Sequence, residues 1–172
     1  MLNRLFKPRP AQAAGRALYA QTVAQARTPA LYAELGVPDT TEARFELYSL
    51  HVYLLMERLK AQGEQAAETS QVLFDTYLSA LDNALREMGV GDLSVGKRMR
   101  KLGEAFYGRV LGYEAAIAAL PDAAEMEGLV TRTIYADADP AQAPALAAYI
   151  VARRQALAAQ PLERLYAGDV SW

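Results

Sequence analysis

The strongest constraint on the fold of this chain is a pair of helix-period apolar stripes on either side of a glycine-containing turn. Before the turn, apolar residues recur at steps of three and four between residues 74 and 88, so they share one helix face. After it, a second stripe with this spacing extends over residues 99–120. Gly89 and Gly91 lie between the stripes, and glycine at positive φ is common at helix ends. This pattern predicts two long amphipathic helices joined by a tight turn.

The predicted turn also carries capping residues and charge. Asp92 or Ser94 can accept hydrogen bonds from the free N–H groups of the second helix, and Gly91 is expected at a φ value that side chains resist. Arg86 is spaced to pair with Asp82 one helical turn earlier. Such a region is either an ordinary solvated helix end or a partner-binding surface. Its candidate binding residues are Arg86, Gly89, Gly91, Asp92, Lys97, Arg98, Arg100 and Lys101.

The same stretch partly matches a nucleotide-binding P-loop. Gly91, Gly96 and Lys97 have the P-loop spacing, but Arg98 stands where a magnesium-binding Ser or Thr is required. A P-loop also follows a strand, whereas the residues before Gly89 have a helical period. The sequence therefore favours a capped helix–helix turn over a phosphate site.

The remaining segments are also helical in pattern. Asp39-Thr-Thr-Glu42 fits a capping box, and the helix that it opens is predicted to extend to about Gly63. Residues 47–56 of that helix are apolar nearly all the way round, which indicates burial on several sides. We predict an all-α fold, a single compact helical domain of about six to seven helices. Within it, residues 1–27 form a basic arm and an Ala-rich helix, and residues 28–172 form the main helical domain.

A second stripe of small residues runs along the predicted helix after the turn. It consists of Ala105, Gly108, Gly112, Ala116 and Ala119. Small residues allow a neighbouring helix to approach closely. They serve either internal packing or a docking groove for a partner helix.

Composition excludes several kinds of chemistry. The 172 residues contain no cysteine and one histidine, so disulfides, thiolate metal sites and a conventional zinc site are not expected. His51 has only apolar and tyrosine neighbours on its own helix, and we predict a buried neutral imidazole bonded to another helix. Haem ligation or general-base chemistry are the alternatives. We predict no catalytic residues, no metal and no cofactor, which favours a binding protein over an enzyme.

The first 33 residues contain five arginine or lysine residues and no acid. This start resembles a mitochondrial transit peptide, a basic arm for an anionic membrane or RNA, or an ordinary solvated terminus. No apolar run reaches the length of a membrane span, and no secretory signal is present. The formal net charge of −2 gives no reason to expect DNA binding.

Two blocks resemble a known family. They are residues 31–63, with the motif GVPDT, and residues 73–109, with LFD, ALREMGVGDLSVGKRM and FYGR. Together they are similar to the ubiquinol–cytochrome c chaperone family. The chain lacks the long N-terminal extension of mitochondrial members, so it resembles a bacterial-type member.

The resemblance implies an all-helical, non-catalytic assembly factor that binds newly made cytochrome b, or another subunit, and promotes assembly of the cytochrome bc1 complex (complex III). Further partners implied by the family are a small helper protein and the ribosome. The expected location is the cytoplasm with peripheral contact at the inner membrane, or the mitochondrial matrix in a eukaryote. The alternative function is an RNA- or ribosome-binding helical module that uses the basic arm and the Lys97 cluster.

Overall fold

In residues 10–172 the secondary structure consists of six helices of ten or more residues, two single-turn α-helices and a short 3₁₀ helix (Pro140–Gln142). The computed structural model describes residues 10–172, so the predicted basic head before Pro10 lies outside the described residues. The long helices are α1 (Pro10–Ala26), α3 (Thr41–Leu59), α4 (Glu64–Glu87), α5 (Asp92–Ala118), α6 (Ala124–Thr133) and α7 (Ala143–Ala158), and the short ones are α2 (Pro29–Ala33) and α8 (Leu162–Tyr166). Residues 10–172 contain no strand. The prediction of a single all-α domain with six to seven helices is confirmed.

Helix α3 occupies the centre of the molecule. Leu47, Leu50 and Leu55 have no exposed surface, and α1, α4, α5 and α7 all pack against this helix. A helix that is apolar around its circumference can bury that surface only when other helices surround it. The sequence pattern of α3 therefore determines the central position of this helix.

The start of α3 differs from the predicted capping box. Thr40, not Asp39, is the N-cap, and its hydroxyl accepts the hydrogen bond of the Ala43 N–H at 3.2 Å. Thr40 has the extended backbone typical of an N-cap, with φ −109° and ψ 162°. Asp39 instead accepts a hydrogen bond from Arg44 at 2.6 Å. The helix also ends at Leu59, four residues before the predicted Gly63.

The Ala-rich helix α1 packs closely against α4. A Cβ atom placed on Gly15 would lie 2.7 Å from the Cβ of Val72, so the two helices approach at a distance that only glycine allows. The buried face of α1 consists of Ala11, Ala14, Gly15, Leu18, Thr22 and Ala26. The division of the chain after residue 27 stays a prediction.

Candidate functional site

The α4–α5 turn, residues 88–91, connects the two longest helices. Gly89 has φ +82°, as predicted for a glycine at a helix end. Gly91 has φ −66° and ψ 153° and is the N-cap of α5, so the prediction of a restricted φ at Gly91 is wrong. A Cβ on either glycine would meet nothing within 4 Å. Only Gly89 therefore needs glycine for a backbone reason.

The predicted cap of α5 by Asp92 or Ser94 is also wrong. No side chain caps this helix, and Asp92 is its first residue. The Asp92 carboxylate pairs instead with the guanidinium of Arg86, which also donates to Asp82 at 2.6 Å. This ion-pair network joins the end of α4 to the start of α5.

The partial P-loop match has no structural counterpart. The segment before Gly89 is helix α4, and Lys97 lies in the second turn of α5. A P-loop requires a strand followed by a loop whose N–H groups surround phosphate. The prediction of a helix–helix turn at this position is therefore confirmed, although the turn lacks the predicted side-chain cap.

The four cations at the start of α5 are all exposed. They are Lys97, Arg98, Arg100 and Lys101. Within residues 10–172, none of them forms an ion pair. This part of α5 therefore presents positive charge that intramolecular carboxylates do not neutralise.

Exposed apolar side chains are concentrated in the same part of the molecule. Met88 is 57% exposed, Leu93 102%, Tyr107 65% and Leu111 49%, and they are the exposed large hydrophobic residues of the described chain. Met88, which ends the predicted apolar stripe of residues 74–88, is therefore not packed in the core. Exposed apolar side chains gathered in one region mark interaction sites more often than scattered ones do.

We define the outer face of α5 by the residues at positions 93, 97, 100, 104, 107 and 111, all of which are exposed. This face lies opposite the buried side chains of Phe106 and Tyr113. Leu93, Tyr107 and Leu111 are thus apolar residues on the solvent side of an amphipathic helix. Sequence reasoning missed these three residues, although their phase relative to the apolar stripe of residues 99–120 could have revealed them.

A cleft lies beside this face, between α3, α4 and α5. Its volume is about 450 Å³, and Met56, Leu59, Phe74 and Val110 are among the residues that line it. The Lys60 ammonium donates to the Glu114 carboxylate at 2.8 Å across the cleft rim. The cleft provides an apolar recess next to the exposed apolar side chains of α5.

The small residues of the α5 stripe lie in two different environments. Gly112 packs against α6, where an added Cβ would lie 3.0 Å from a methyl carbon of Leu129, whereas a Cβ on Gly108 would meet nothing within 4 Å. Ala116 is buried. The C-terminal half of the stripe therefore packs internally, and Gly108 is open.

A buried ion pair fixes α5 on α3. The Arg109 guanidinium donates two hydrogen bonds to the Glu46 carboxylate, at 2.7 and 2.8 Å. The Glu46 side chain is only 8% exposed, and a two-bond geometry restrains the orientation of both groups. This pair holds the inner side of α5 toward the core and so leaves the outer face directed away from it.

His51 lies in the interior, remote from the α4–α5 turn in sequence. Its Nδ1 is 2.7 Å from the carbonyl oxygen of Leu47, and its Nε2 is 2.8 Å from the Tyr149 hydroxyl, which in turn accepts from Gln25. Burial lowers the pKa of His51 to about 4, with a smaller lowering from nearby Arg153 and an opposing rise from the hydrogen bond with the Leu47 backbone. The predicted buried neutral imidazole bonded to another helix is confirmed.

In the part of the chain that the structure describes, no helix is long and apolar enough to cross a bilayer. The fold and the surface just described define an all-helical protein whose exposed apolar side chains are gathered along one long helix. The chain belongs to the Ubiquinol-cytochrome C chaperone family, whose sequence profile matches residues 33–172. The family predicted from the sequence motifs is thereby confirmed.

Two curated relatives support this assignment. Ubiquinol-cytochrome c reductase complex assembly factor 1 from Mus musculus is 25% identical over 158 residues, which cover 90% of this chain and 53% of the mouse protein. The Homo sapiens protein of the same name is also 25% identical, over 90% of this chain and 52% of the human protein. The chain thus spans about half the length of the curated relatives it matches.

A solved structure covers the whole fold. The crystal structure of the Cbp3 homolog from Brucella abortus superposes with a TM-score of 0.87 and 38% sequence identity. The match covers 100% of this chain and 96% of the Brucella chain. The helical arrangement is therefore shared along the full length of the chain.

Proposed function

We propose that this protein is a non-catalytic assembly chaperone of the ubiquinol–cytochrome c reductase complex, the cytochrome bc1 complex, and that it binds newly made cytochrome b. Membership of the chaperone family supports the assembly role. The printed names of the mouse and human relatives, which are assembly factors of this complex, support the same role. The choice of cytochrome b as the client comes from the family resemblance.

The observation that carries the proposal is the placement of exposed apolar residues next to unpaired cations. Met88 and Leu93 lie at the α4–α5 turn, and Tyr107 and Leu111 continue along α5. An apolar surface with a charged rim suits a client whose helices are apolar and whose connecting loops are polar. The proposed binding residues are Arg86, Gly89, Gly91, Asp92, Lys97, Arg98, Arg100 and Lys101, together with these apolar neighbours.

Each part of this surface has a separate role in the proposal. The apolar side chains and the adjacent cleft provide binding energy through burial, whereas the cations steer the encounter and select the client orientation. Gly89 and the Arg86 network hold the turn in shape. A small helper protein, the ribosome and an anionic membrane surface are further proposed partners of the same basic region.

The test compares two triple charge reversals in the full chain. In the first variant Lys97, Arg98 and Lys101 are changed to Glu, and in the control variant Arg16, Arg27 and Arg132 are changed to Glu. Binding of a detergent-solubilised peptide from one transmembrane helix of cytochrome b is measured by fluorescence anisotropy. We expect the first variant to bind about tenfold more weakly or worse, while the control binds like wild type and both variants remain folded.

Equal binding by wild type and the first variant would contradict the proposed site. The alternative of an RNA-binding module has a different signature, because phosphate contacts make affinity fall steeply with salt. Binding to RNA that is tighter than binding to the peptide, and that is lost between about 50 and 200 mM salt, would replace the chaperone proposal.

A further inference from the structure

The outer face of α5 has the spacing of a coiled-coil seam. Its residues, Leu93, Lys97, Arg100, Glu104, Tyr107 and Leu111, are separated alternately by four and three positions. Residues with this spacing share one helix face, and such a face can contact a second helix along its length when the facing side chains are complementary. Among the described residues, all six positions are instead exposed to solvent.

This seam is complementary to itself when two copies of α5 run antiparallel. With the two-fold axis beside residue 102, Leu93 of one copy faces Leu111 of the other. In the same register Lys97 faces Tyr107, and Arg100 faces Glu104. The two-fold axis repeats each of these three contacts, which gives six layers of facing side chains. No layer places like charges, or an apolar side chain and a charge without an aromatic ring, opposite each other.

Each layer joins groups that attract one another. Leu93 and Leu111 are apolar and largely exposed, so their pairing removes apolar surface from water. Lys97 over the ring of Tyr107 is a cation–π pair, and Arg100 with Glu104 is an ion pair. Neither Arg100 nor Glu104 has an ion-pair partner within residues 10–172.

The opposite helix orientation would be unfavourable. In a parallel, in-register pair, Lys97, Arg100 and Glu104 would each face their own copy, which places like charges in three successive layers. Gly96 and Gly103 flank the seam, and a Cβ on either would meet nothing within 4 Å. The open space beside the antiparallel seam therefore lets the two helix backbones approach closely.

We propose that α5 pairs antiparallel with α5 of a second copy of this chain and forms a symmetric, reversible dimer. The seam from Leu93 to Leu111 is about 27 Å long at 1.5 Å per residue, and a contact of this length between two helices is small for a protein interface. A small interface with four polar layers gives a weak dimer. The dimer proposal does not depend on the identity of the client. The dimer would, however, cover the apolar residues of the proposed client surface, so the client and the second copy would compete for this surface.

The test uses charge complementarity between two variants of the full chain, in the absence of any client. Sedimentation equilibrium is measured from about 10 μM to about 1 mM protein, the range in which weak dimers dissociate. We expect a concentration-dependent dimer for wild type. Arg100→Glu places Glu opposite Glu104, and Glu104→Arg places Arg opposite Arg100, so each variant alone should dimerise at least about tenfold more weakly.

A mixture of the two variants provides the decisive measurement. A heterodimer of the Arg100→Glu and Glu104→Arg chains has opposite charges in both central layers, so the mixture should dimerise within about threefold of wild type. Arg98→Glu is the matched control, because it makes the same charge change on the same helix away from the seam. The control should dimerise like wild type.

Several results would overturn the proposal. They are a wild-type chain that stays monomeric up to about 1 mM, a mixture no more associated than its separate components, and equal weakening by Arg98→Glu. A wild-type chain that stays monomeric would assign the seam to a contact with a different chain, such as a helper protein or the client. Loss of peptide binding with intact dimerisation would contradict the proposed function and leave the dimer in place, so the two failures are distinguishable.

Discussion

The interior around His51 and the outer face of α5 use similar residues in opposite ways. In the interior, Gln25, His51 and Tyr149 connect α1, α3 and α7 through hydrogen bonds of 2.8 Å. On the outer face of α5, Arg100 and Tyr107 are exposed, and neither has a hydrogen bond to a side chain of the described chain. The first region is completed by folding, whereas the second is open to another molecule.

This difference teaches where to look for function in a helical protein without a catalytic site. Polar groups that bond to one another across helices stabilise the fold, because burial without partners would be costly. Charged and apolar groups that stay exposed along one helix contribute little to folding. Substitutions in the two regions should therefore separate into effects on stability and effects on binding.

The largest expected effect breaks the buried ion pair. Arg109→Met leaves the Glu46 carboxylate, which is 8% exposed, without its partner, and we expect a loss of about 3–5 kcal/mol in the free energy of unfolding. Arg86→Met is the matched control, because it removes two ion pairs whose groups are exposed or half-exposed, and such pairs contribute little to stability. Urea denaturation measures both, and similar losses would remove the distinction between buried and exposed pairs.

His51→Leu gives the next largest effect on stability. At pH 7 we expect a loss of about 1–3 kcal/mol, because the substitution removes the acceptor of the Tyr149 O–H and the imidazole donor to the Leu47 carbonyl in a buried site. Binding of the cytochrome b peptide should not change. Weaker peptide binding by a stable His51→Leu protein would assign His51 to a binding site.

The pH dependence of this substitution follows from the lowered pKa. Burial holds the pKa of folded His51 at about 4, below the usual unfolded value of about 6.5. Between these pH values the unfolded chain binds more protons, so wild type loses stability as pH falls, on the order of 3 kcal/mol. The His51→Leu variant lacks this pH-dependent loss of stability. The difference in the free energy of unfolding between wild type and the variant should therefore shrink from pH 7 to pH 4.5. A deficit that is constant over this range would contradict a buried neutral histidine.

A smaller effect compares the two glycines of the α4–α5 turn. Gly89→Ala places a side chain at φ +82° and should cost about 1–2 kcal/mol. Gly91→Ala should cost less, at most about 1 kcal/mol from the poorer N-cap, because its φ is −66° and an added Cβ has open space. Thermal unfolding of both variants checks this order, and a larger loss at Gly91 would show that the turn adopts a different conformation.

The smallest expected effect concerns the partial P-loop match. Lys97→Ala should leave the melting temperature unchanged, because Lys97 is exposed and forms no ion pair in the described chain. Calorimetry with ATP or GTP and magnesium should detect no binding to wild type or variant. Nucleotide binding that Lys97→Ala abolishes would revive a phosphate site at the start of α5.

Local patterns predicted most of the helices but not the details of their ends. The apolar stripe predicted between residues 74 and 88 lies in α4, which ends at Glu87, because a long amphipathic pattern is unambiguous. The cap positions of α3 and α5 were each displaced by at least one residue. Asp39 and Thr40 are both favoured capping residue types, and in the folded chain Asp39 is bonded to Arg44 while Thr40 caps the helix.

The candidate site was predictable in part. The cation cluster follows directly from the residues, and the family follows from the motifs around it. The exposed apolar positions at Leu93, Tyr107 and Leu111 were missed, because an apolar residue on a helix is assigned to the core unless its phase is compared with the main stripe. Arg109 lies in the FYGR motif, yet its contact with Glu46 spans 63 positions of the chain, so no local pattern could identify it as a structural residue.

By itself, the sequence determined the all-helical class, the central position of α3 and the family, because each depends on periodicity or on contiguous motifs. Only the tertiary structure decided that Arg109 pairs with Glu46, that Gly15 allows α1 to contact α4, and that His51 bonds to Tyr149. These features depend on pairs of residues far apart in the chain, such as Glu46 with Arg109. Such pairs are brought together by the packing of whole helices, whose geometry is not encoded in any single segment.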